Sequence, residues 1–178
     1  MRTGSGIGSR VSAPNRSTMA ATTSTATRCA CSHPRDCVSR RAGRYLTAIH
    51  RLADGGRDRV GTGEISAHLD VSPATVTEMF DRLATDALVD YEKHDGVRLT
   101  HRGAEIAREL ARRQCVARAF FATELDLEFD AETGYRIGYA LPASGVETLR
   151  ERTDHATVEP AGIDRGSREK CLYGATAN

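Results

Sequence analysis

The chain has no tryptophan, only two lysines (Lys93 and Lys170), and nine aromatic residues in 178. Any core must therefore be built mainly from aliphatic side chains and closed by a few rings. There is no run of about 18 apolar residues, so no membrane-spanning helix is expected. The N-terminal arginines are not followed by a continuous apolar segment, so a secretory signal is not expected either and a cytoplasmic location is. Cysteine is sparse and odd in number: Cys29, Cys31, Cys37, Cys115 and Cys171. Their irregular spacing argues against a secreted disulfide framework. Cys29-x-Cys31-x5-Cys37, with His33 inside it, offers zinc ligands but lacks the second close pair a structural site normally uses. The other reading is free thiols in a flexible arm. Also missing are a Ser/His/Asp set, a phosphate loop and a paired-histidine motif, and Cys115 has no histidine near it in sequence. An enzyme is therefore not expected.

The formal net charge of +1 conceals an asymmetry. From Met1 to Arg44 there are eight arginines and one acid, Asp36, whereas the rest carries 17 basic and 23 acidic residues. Residues 1–38 are rich in Gly, Ser, Thr, Ala and Arg without apolar periodicity, which predicts a disordered basic arm. Such an arm suits nonspecific phosphate contact. It is equally compatible with a start at Met19 rather than Met1.

From Ser39 a helical period begins. Ala42, Leu46, Ile49 and Ala53 share a stripe flanked by Tyr45 and Leu52, and Asp54-Gly55-Gly56 ends it. Arg57 to Arg59 reads as a loop, and Val60-Gly61 as a short strand. Thr62 is the expected cap of a helix over Gly63–Leu69, with Ile65 and Leu69 facing inward. Ser72 then offers an N-cap hydroxyl and Pro73 takes the first helical position, where its missing N–H is harmless. Val76, Met79, Phe80 and Leu83 form the inward face of that helix. Helix, short turn and capped helix make a helix-turn-helix. Next, two apolar runs, Leu88–Tyr91 and Val97–Leu99, bracket Asp95-Gly96, a strong hairpin signal. A hairpin directly after a recognition helix is a wing, and Thr100 caps a helix from about Arg102. The order predicts a mainly α protein with a winged helix-turn-helix over 39–102.

Beyond the wing, a long helix to about Glu124 carries Ile106, Leu110, Ala117 and Phe121 on one face, interrupted by Gln114. Asp130 caps a helix over Ala131–Leu141, which Pro142 ends, and Ser144 caps another holding Val146 and Leu149. Phe120, Phe121, Phe129, Tyr135 and Tyr139 concentrate five of the nine rings here. Short helices cannot easily bury that load alone. A helical dimerisation domain over 103–154 is therefore expected, with Phe120, Phe121, Tyr135 and Tyr139 at the subunit contact. An irregular tail fills 155–178.

From about Gly43 to Gly174 the chain resembles the metal-dependent repressors of the diphtheria toxin repressor and manganese-regulator type. The likeness runs through Tyr45-Leu46-x-x-Ile49 and Val71-Ser72-Pro73-Ala74-Thr75-Val76-Thr77-Glu78-Met79. It continues in Tyr91-Glu92-Lys93-x-x-Gly96-Val97-x-Leu99-Thr100-x-x-Gly103, and Cys171-Leu172-Tyr173-Gly174 is similar to the closing Cys-Pro-x-Gly turn of that family. The resemblance implies a winged helix followed by a helical dimerisation domain that shares an iron(II) or manganese(II) site. Yet Arg44 and Gln114 stand at two ligand positions, and Tyr135, Gly138 and Tyr139 at others. Arginine has no lone pair to give a metal, and glutamine and tyrosine are poor replacements for histidine and carboxylate. No metal site is expected, with Cys115 as a weak candidate ligand. Gln114 and Tyr139 are available instead to hydrogen-bond the Arg44 guanidinium.

The expected function is a dimeric, DNA-binding transcriptional regulator acting on a palindromic operator in double-stranded DNA. Ala74, Thr75, Thr77 and Glu78 would lie near base edges, and Ser72, Lys93 and Arg98 near phosphates. The alternative is a winged-helix module that binds protein rather than DNA.

Overall fold

The computed structural model describes residues 33–53 and 57–155. Most of the arm expected over 1–38, and the tail expected over 155–178, lie outside those residues. The last part of the expected arm is folded: Pro34–Cys37 is a short helix, α1, and His33 and Val38 are buried. Cys37 is disulfide-bonded, which corrects the free-thiol reading at this position.

The aliphatic stripe read from Ala42 to Ala53 packs inward on α2 (Arg40–Ala53), where Leu46 and Ile49 are fully enclosed. The next helix, α3, spans Thr62–Leu69. Its cap is Gly61 rather than Thr62: the Glu64 carboxylate accepts the Gly61 N–H at 2.9 Å. Asp70 ends the helix in the left-handed region, φ 53°, which a short polar side chain tolerates. The recognition helix α4 spans Pro73–Thr85, and the Ser72 hydroxyl accepts the Thr75 N–H as anticipated. Val76, Met79, Phe80 and Leu83 are its buried side. Each such aliphatic or aromatic side chain removed from water stabilises the fold by roughly 1.5–3 kcal/mol.

Strands β1 (Val89–Glu92) and β2 (Gly96–Leu99) pair antiparallel, with Tyr91 opposite Val97. Val60 adds an antiparallel bridge to Val97, so the expected short strand contributes one ladder position. The Phe80 and Tyr91 rings lie 5.1 Å apart and tie recognition helix to wing. Thr100 then caps α5 (His101–Leu125), whose 25 residues extend roughly 37 Å at 1.5 Å per residue. Asp130 caps α6 (Ala131–Ala140), and α7 (Ala143–His155) follows. Ser144 is thus inside the first turn of α7 rather than its cap. Among the described residues no helix is long and apolar enough to cross a membrane.

Helix α5 belongs to both halves of the molecule. Its first half closes the winged-helix core through Ile106, Ala107 and Leu110, and its second half carries α6 and α7. Gly103 is where it meets the wing: a Cβ there would stand 1.9 Å from the Leu88 carbonyl oxygen. Lower down, Arg113 is buried, pairs with Glu109 one turn earlier on α5, and ties that helix to the end of α6. Its Nε donates to Glu109 at 2.7 Å and its Nη1 to the Leu141 carbonyl at 2.8 Å. His33 closes the same corner. Its Nδ1 accepts the Arg35 N–H, so the ring proton sits on Nε2 and is donated to the Leu141 carbonyl at 2.6 Å. The approach of Arg113 Nη1 to the same Nε2, 2.9 Å, is then a contact and not a second hydrogen bond.

Gly103→Ala should cost on the order of 3 kcal/mol or more, because backbone rather than a flexible side chain blocks the new methyl. Gly63→Ala, with nothing within 4 Å of its Cβ, should instead stabilise by about 0.5–1 kcal/mol. Urea denaturation of the two variants checks both signs. A second expectation concerns acid. Burial alone would push the Glu109 carboxyl up, but hydrogen bonds from Arg112 and Arg113 outweigh it and hold the carboxyl below its ordinary range. A depressed folded value stabilises above the unfolded pKa and is lost as pH falls through it. Glu109→Gln should therefore melt below wild type at neutral pH, and the two melting temperatures should converge as pH falls through and below the ordinary carboxyl range.

Candidate nucleic-acid interface and interdomain cavity

On α4 the buried side leaves Ala74 and Glu78 exposed and Thr75 and Thr77 half-exposed. The Thr75 hydroxyl lies 2.8 Å from that of Ser72, and the Thr77 hydroxyl donates to the Pro73 carbonyl at 3.1 Å. Both hydroxyls are thereby oriented at the start of the helix and retain acceptor capacity. Glu78 lies 3.9 Å from Arg82, an exposed cation that the sequence reading passed over. Its spacing of four residues from Glu78 was the available signal.

The wing is first of all a network of charges paired within the chain. Arg59, only 12% exposed, reaches Asp90, Glu92 and Asp95 and donates to the Asp90 and Gly96 carbonyls. It staples the loop before α3 to the hairpin and was not singled out from the sequence. Arg98 is held by Asp90, its Nε donating at 2.8 Å, and lies 3.5 Å from Asp58. Asp90 raises the pKa of Arg98. Lys93, at the tip of the hairpin, is exposed and makes no ion pair among the described residues. Of the two wing cations, Lys93 is thus the one whose charge is not already matched.

Three of the residues at resembled ligand positions, Arg44, Gln114 and Tyr135, border a cavity of about 300 Å³ between α2, α3, α5 and α6, whereas Gly138 and Tyr139 do not line it. Arg44, Thr47, Ala48 and Arg51 present one face of α2 to it, and Leu69, Gln114, Glu132 and Tyr135 close other sides. Arg44 bridges three elements: its Nε lies 3.0 Å from Glu132 on α6 and its Nη2 donates to the Leu69 carbonyl at 3.3 Å. Gln114 does not reach Arg44. It accepts from Arg51 Nη2 at 2.5 Å and donates to the Ala131 carbonyl at 2.6 Å. Tyr139 does not reach it either, and donates to the Val38 carbonyl at 3.0 Å. The expected partners of the guanidinium are therefore replaced by Glu132 and a helix-end carbonyl, because both tyrosines of α6 turn towards the backbone at the α1–α2 junction.

Tyr135 donates to the Arg40 carbonyl at 2.8 Å, and its burial, with smaller contributions from Tyr139 and Glu132, pushes its pKa well above the ordinary phenol value. Gly138 packs against the α5 backbone, where a Cβ would meet the Arg113 carbonyl carbon at 2.7 Å. Cys115 is half-buried on α5 and is not among the residues lining the cavity.

The aromatic group divides. Tyr135 is enclosed by the chain itself, joining the core of the winged helix. Phe120, Phe121 and Phe129 gather at the far end of α5, with Phe121 and Phe129 centroids 4.9 Å apart. Leu125 and Leu127 beside them are 58% and 47% exposed.

Residues 38–97 match the family model of the iron-dependent repressor N-terminal DNA-binding domain. The HTH-type transcriptional regulator MntR of Oceanobacillus iheyensis is 39% identical over 67 residues, 37% of this chain and 44% of that protein. An uncharacterised HTH-type transcriptional regulator of Methanocaldococcus jannaschii is 26% identical over 108 residues, 60% of this chain and 86% of that protein. Among solved structures, a manganese-dependent transcriptional repressor in complex with manganese superposes with a TM-score of 0.57 at 25% identity, covering 64% of this chain and 52% of that one. The manganese regulator SloR shares the fold, with a TM-score of 0.56 at 24% identity over 64% of this chain and 53% of its own. The chain thus spans about half the length of MntR, of the manganese-dependent repressor and of SloR. Over residues 38–97 the chain is similar to the DNA-binding domain of iron-dependent repressors, and the likeness in fold to the manganese-dependent regulators extends into the helices beyond.

Proposed function

We propose that this chain is a dimeric transcriptional regulator that binds a palindromic operator without a bound metal. The single observation that carries the metal-free reading is the Arg44 guanidinium, which lies on the cavity and joins α2, the end of α3 and α6. A permanent cation there repels a dication by roughly 2–8 kcal/mol at 4 Å, from water-like to protein-surface screening. Glu132 offsets part of that, but its carboxylate is already shared between Arg44 and Arg136. Gly138 adds a steric reason. Two helix backbones meet where the resemblance implies a ligand, so a liganding side chain would require α5 and α6 to separate. The donor set does not fit iron(II) or manganese(II).

Helix α4 enters the major groove in this proposal, with Ala74, Thr75, Thr77 and Glu78 at base edges. Ser72 and Lys93 lie at phosphates, and Arg98 is free to do so only by leaving Asp90. Two copies meet through Phe120, Phe121, Phe129, Leu125 and Leu127, a surface too apolar to leave in water by choice. The acidic side chains Glu78 and Asp81, both exposed on α4, favour as a second reading a winged helix that docks on a basic protein surface.

Selection of bound fragments from genomic DNA, followed by footprinting, separates the two readings. The proposal expects half-sites about 10 base pairs apart. Thr75→Ala and Thr77→Ala should each lose on the order of 1–3 kcal/mol for the selected site wherever a base contact is removed. Equal affinity of the unaltered chain for selected and scrambled DNA would favour the protein-docking reading instead. Leu125→Glu with Leu127→Glu should give monomers in sedimentation at micromolar concentration while leaving the melting temperature nearly unchanged. Unaltered protein that is already monomeric there would rule out the proposed dimer.

A further inference from the structure

We infer that Glu78 selects a cytosine in each half-site of the operator, its carboxylate accepting the N4 amino hydrogen that cytosine shows in the major groove. The inference rests on the proposal that α4 reads DNA, and it names the base that the helix reads. Three observations lead to it.

The first is what the start of α4 offers. From Pro73 to Asp81 there is no lysine, arginine, asparagine or glutamine. The side chains that read guanine and adenine through two parallel bonds are therefore missing from its first two turns. Of the three hydroxyl protons there, two are spent within the turn. Thr77 donates to the Pro73 carbonyl, and the Ser72–Thr75 pair uses one of its two protons internally. What remains outward is chiefly methyl groups and oxygen lone pairs, and a carboxylate is the strongest acceptor among them.

The second is the place of Glu78. Its side chain is 75% exposed, whereas Val76, Met79 and Phe80 around it are buried, so the carboxylate stands clear of the core. An acid on a face that approaches phosphates is repelled by them, and a donor on a base edge offsets that repulsion. The third is Arg82, the only lysine or arginine in α4. Its Nη2 stands 3.9 Å from the Glu78 carboxylate, one turn further along. At that distance it offsets the negative charge without the short hydrogen bond that would occupy the carboxylate lone pairs. Glu78 thus approaches the groove as half of a neutral pair, with its oxygens open.

The major-groove edges decide which base this suits. Guanine shows the acceptors O6 and N7, and thymine shows O4, and each of these repels a carboxylate. Adenine shows its N6 donor beside the N7 acceptor. Cytosine shows its N4 donor with no acceptor next to it. A carboxylate therefore ranks cytosine first and adenine second. A twofold axis repeats the contact, so each half-site holds one such C·G pair at the same distance from the operator centre.

The test incubates the full chain with a pool of random-sequence duplexes and sequences the bound DNA, for the wild type, Glu78→Ala and Glu78→Gln. Glu78 is exposed, so both variants should fold, and circular dichroism melting checks that. The wild type is expected to select a C·G pair at one symmetric position. Replacing that cytosine with N4-methylcytosine, whose methyl takes the place of the exposed amino hydrogen, should weaken binding about tenfold. Glu78→Ala should lose the preference at that position alone. Its affinity for arbitrary duplexes should rise, because an acid is gone and Arg82 is released towards phosphate. Glu78→Gln should move the position towards adenine, whose N6 and N7 a carboxamide matches. A selected site without a cytosine that depends on Glu78, or full affinity for the N4-methyl duplex, overturns the inference while the operator reading stands. A wild type that selects no sequence overturns the operator reading, and this inference with it.

Discussion

A guanidinium and a divalent cation can both hold three protein elements together, but they do so by opposite chemistry. A metal collects lone pairs, so the elements around it must each supply a donor. A guanidinium supplies N–H groups, so the same elements must supply acceptors. At Arg44 the acceptors are the Glu132 carboxylate on α6 and the Leu69 carbonyl at the end of α3. Once that residue is arginine, the neighbours are free to be other than ligands. Gln114 can bridge Arg51 and α6, the two tyrosines of α6 can reach the backbone at the α1–α2 junction, and Gly138 can bring α6 against α5.

The energy of the junction does not come from the ion pair. Arg44 and Glu132 are each about one third exposed, 38% and 32%, and such pairs contribute roughly 0–1 kcal/mol. Apolar burial and hydrogen bonding carry more. Tyr135 is buried against the winged-helix core while its hydroxyl satisfies the Arg40 carbonyl, and Arg113 and His33 both terminate on the Leu141 carbonyl. The packing around the ion pair keeps the winged helix and the later helices in one arrangement.

The winged helix was legible because each element announces itself locally. Ser72-Pro73, the apolar period of α4, Asp95-Gly96 and the caps Thr100 and Asp130 all act within a few residues of where they stand. What the sequence did not show are contacts that span the chain. Glu132 as the partner of Arg44 lies 88 positions away, and nothing in either local pattern points to the other. The same holds for His33 with Leu141, which turned a stretch read as part of an arm into a folded strap. Arg51 was legible in principle, since Arg44, Thr47, Ala48 and Arg51 recur at the spacing of one helix face. It was overlooked because it lies outside the positions that the family resemblance draws attention to. Tyr135 was assigned to a subunit contact on composition, and only the fold shows it filling the chain's own interior.

The most direct measurement is the affinity of the unaltered chain for its selected operator, taken in chelator and again with manganese(II) or iron(II) added under reducing conditions. Arg44 at the junction predicts the same dissociation constant in all three. Stoichiometric metal binding that tightens the operator complex at least tenfold, about 1.4 kcal/mol of coupling, would contradict the claim that a guanidinium has taken the place of the metal.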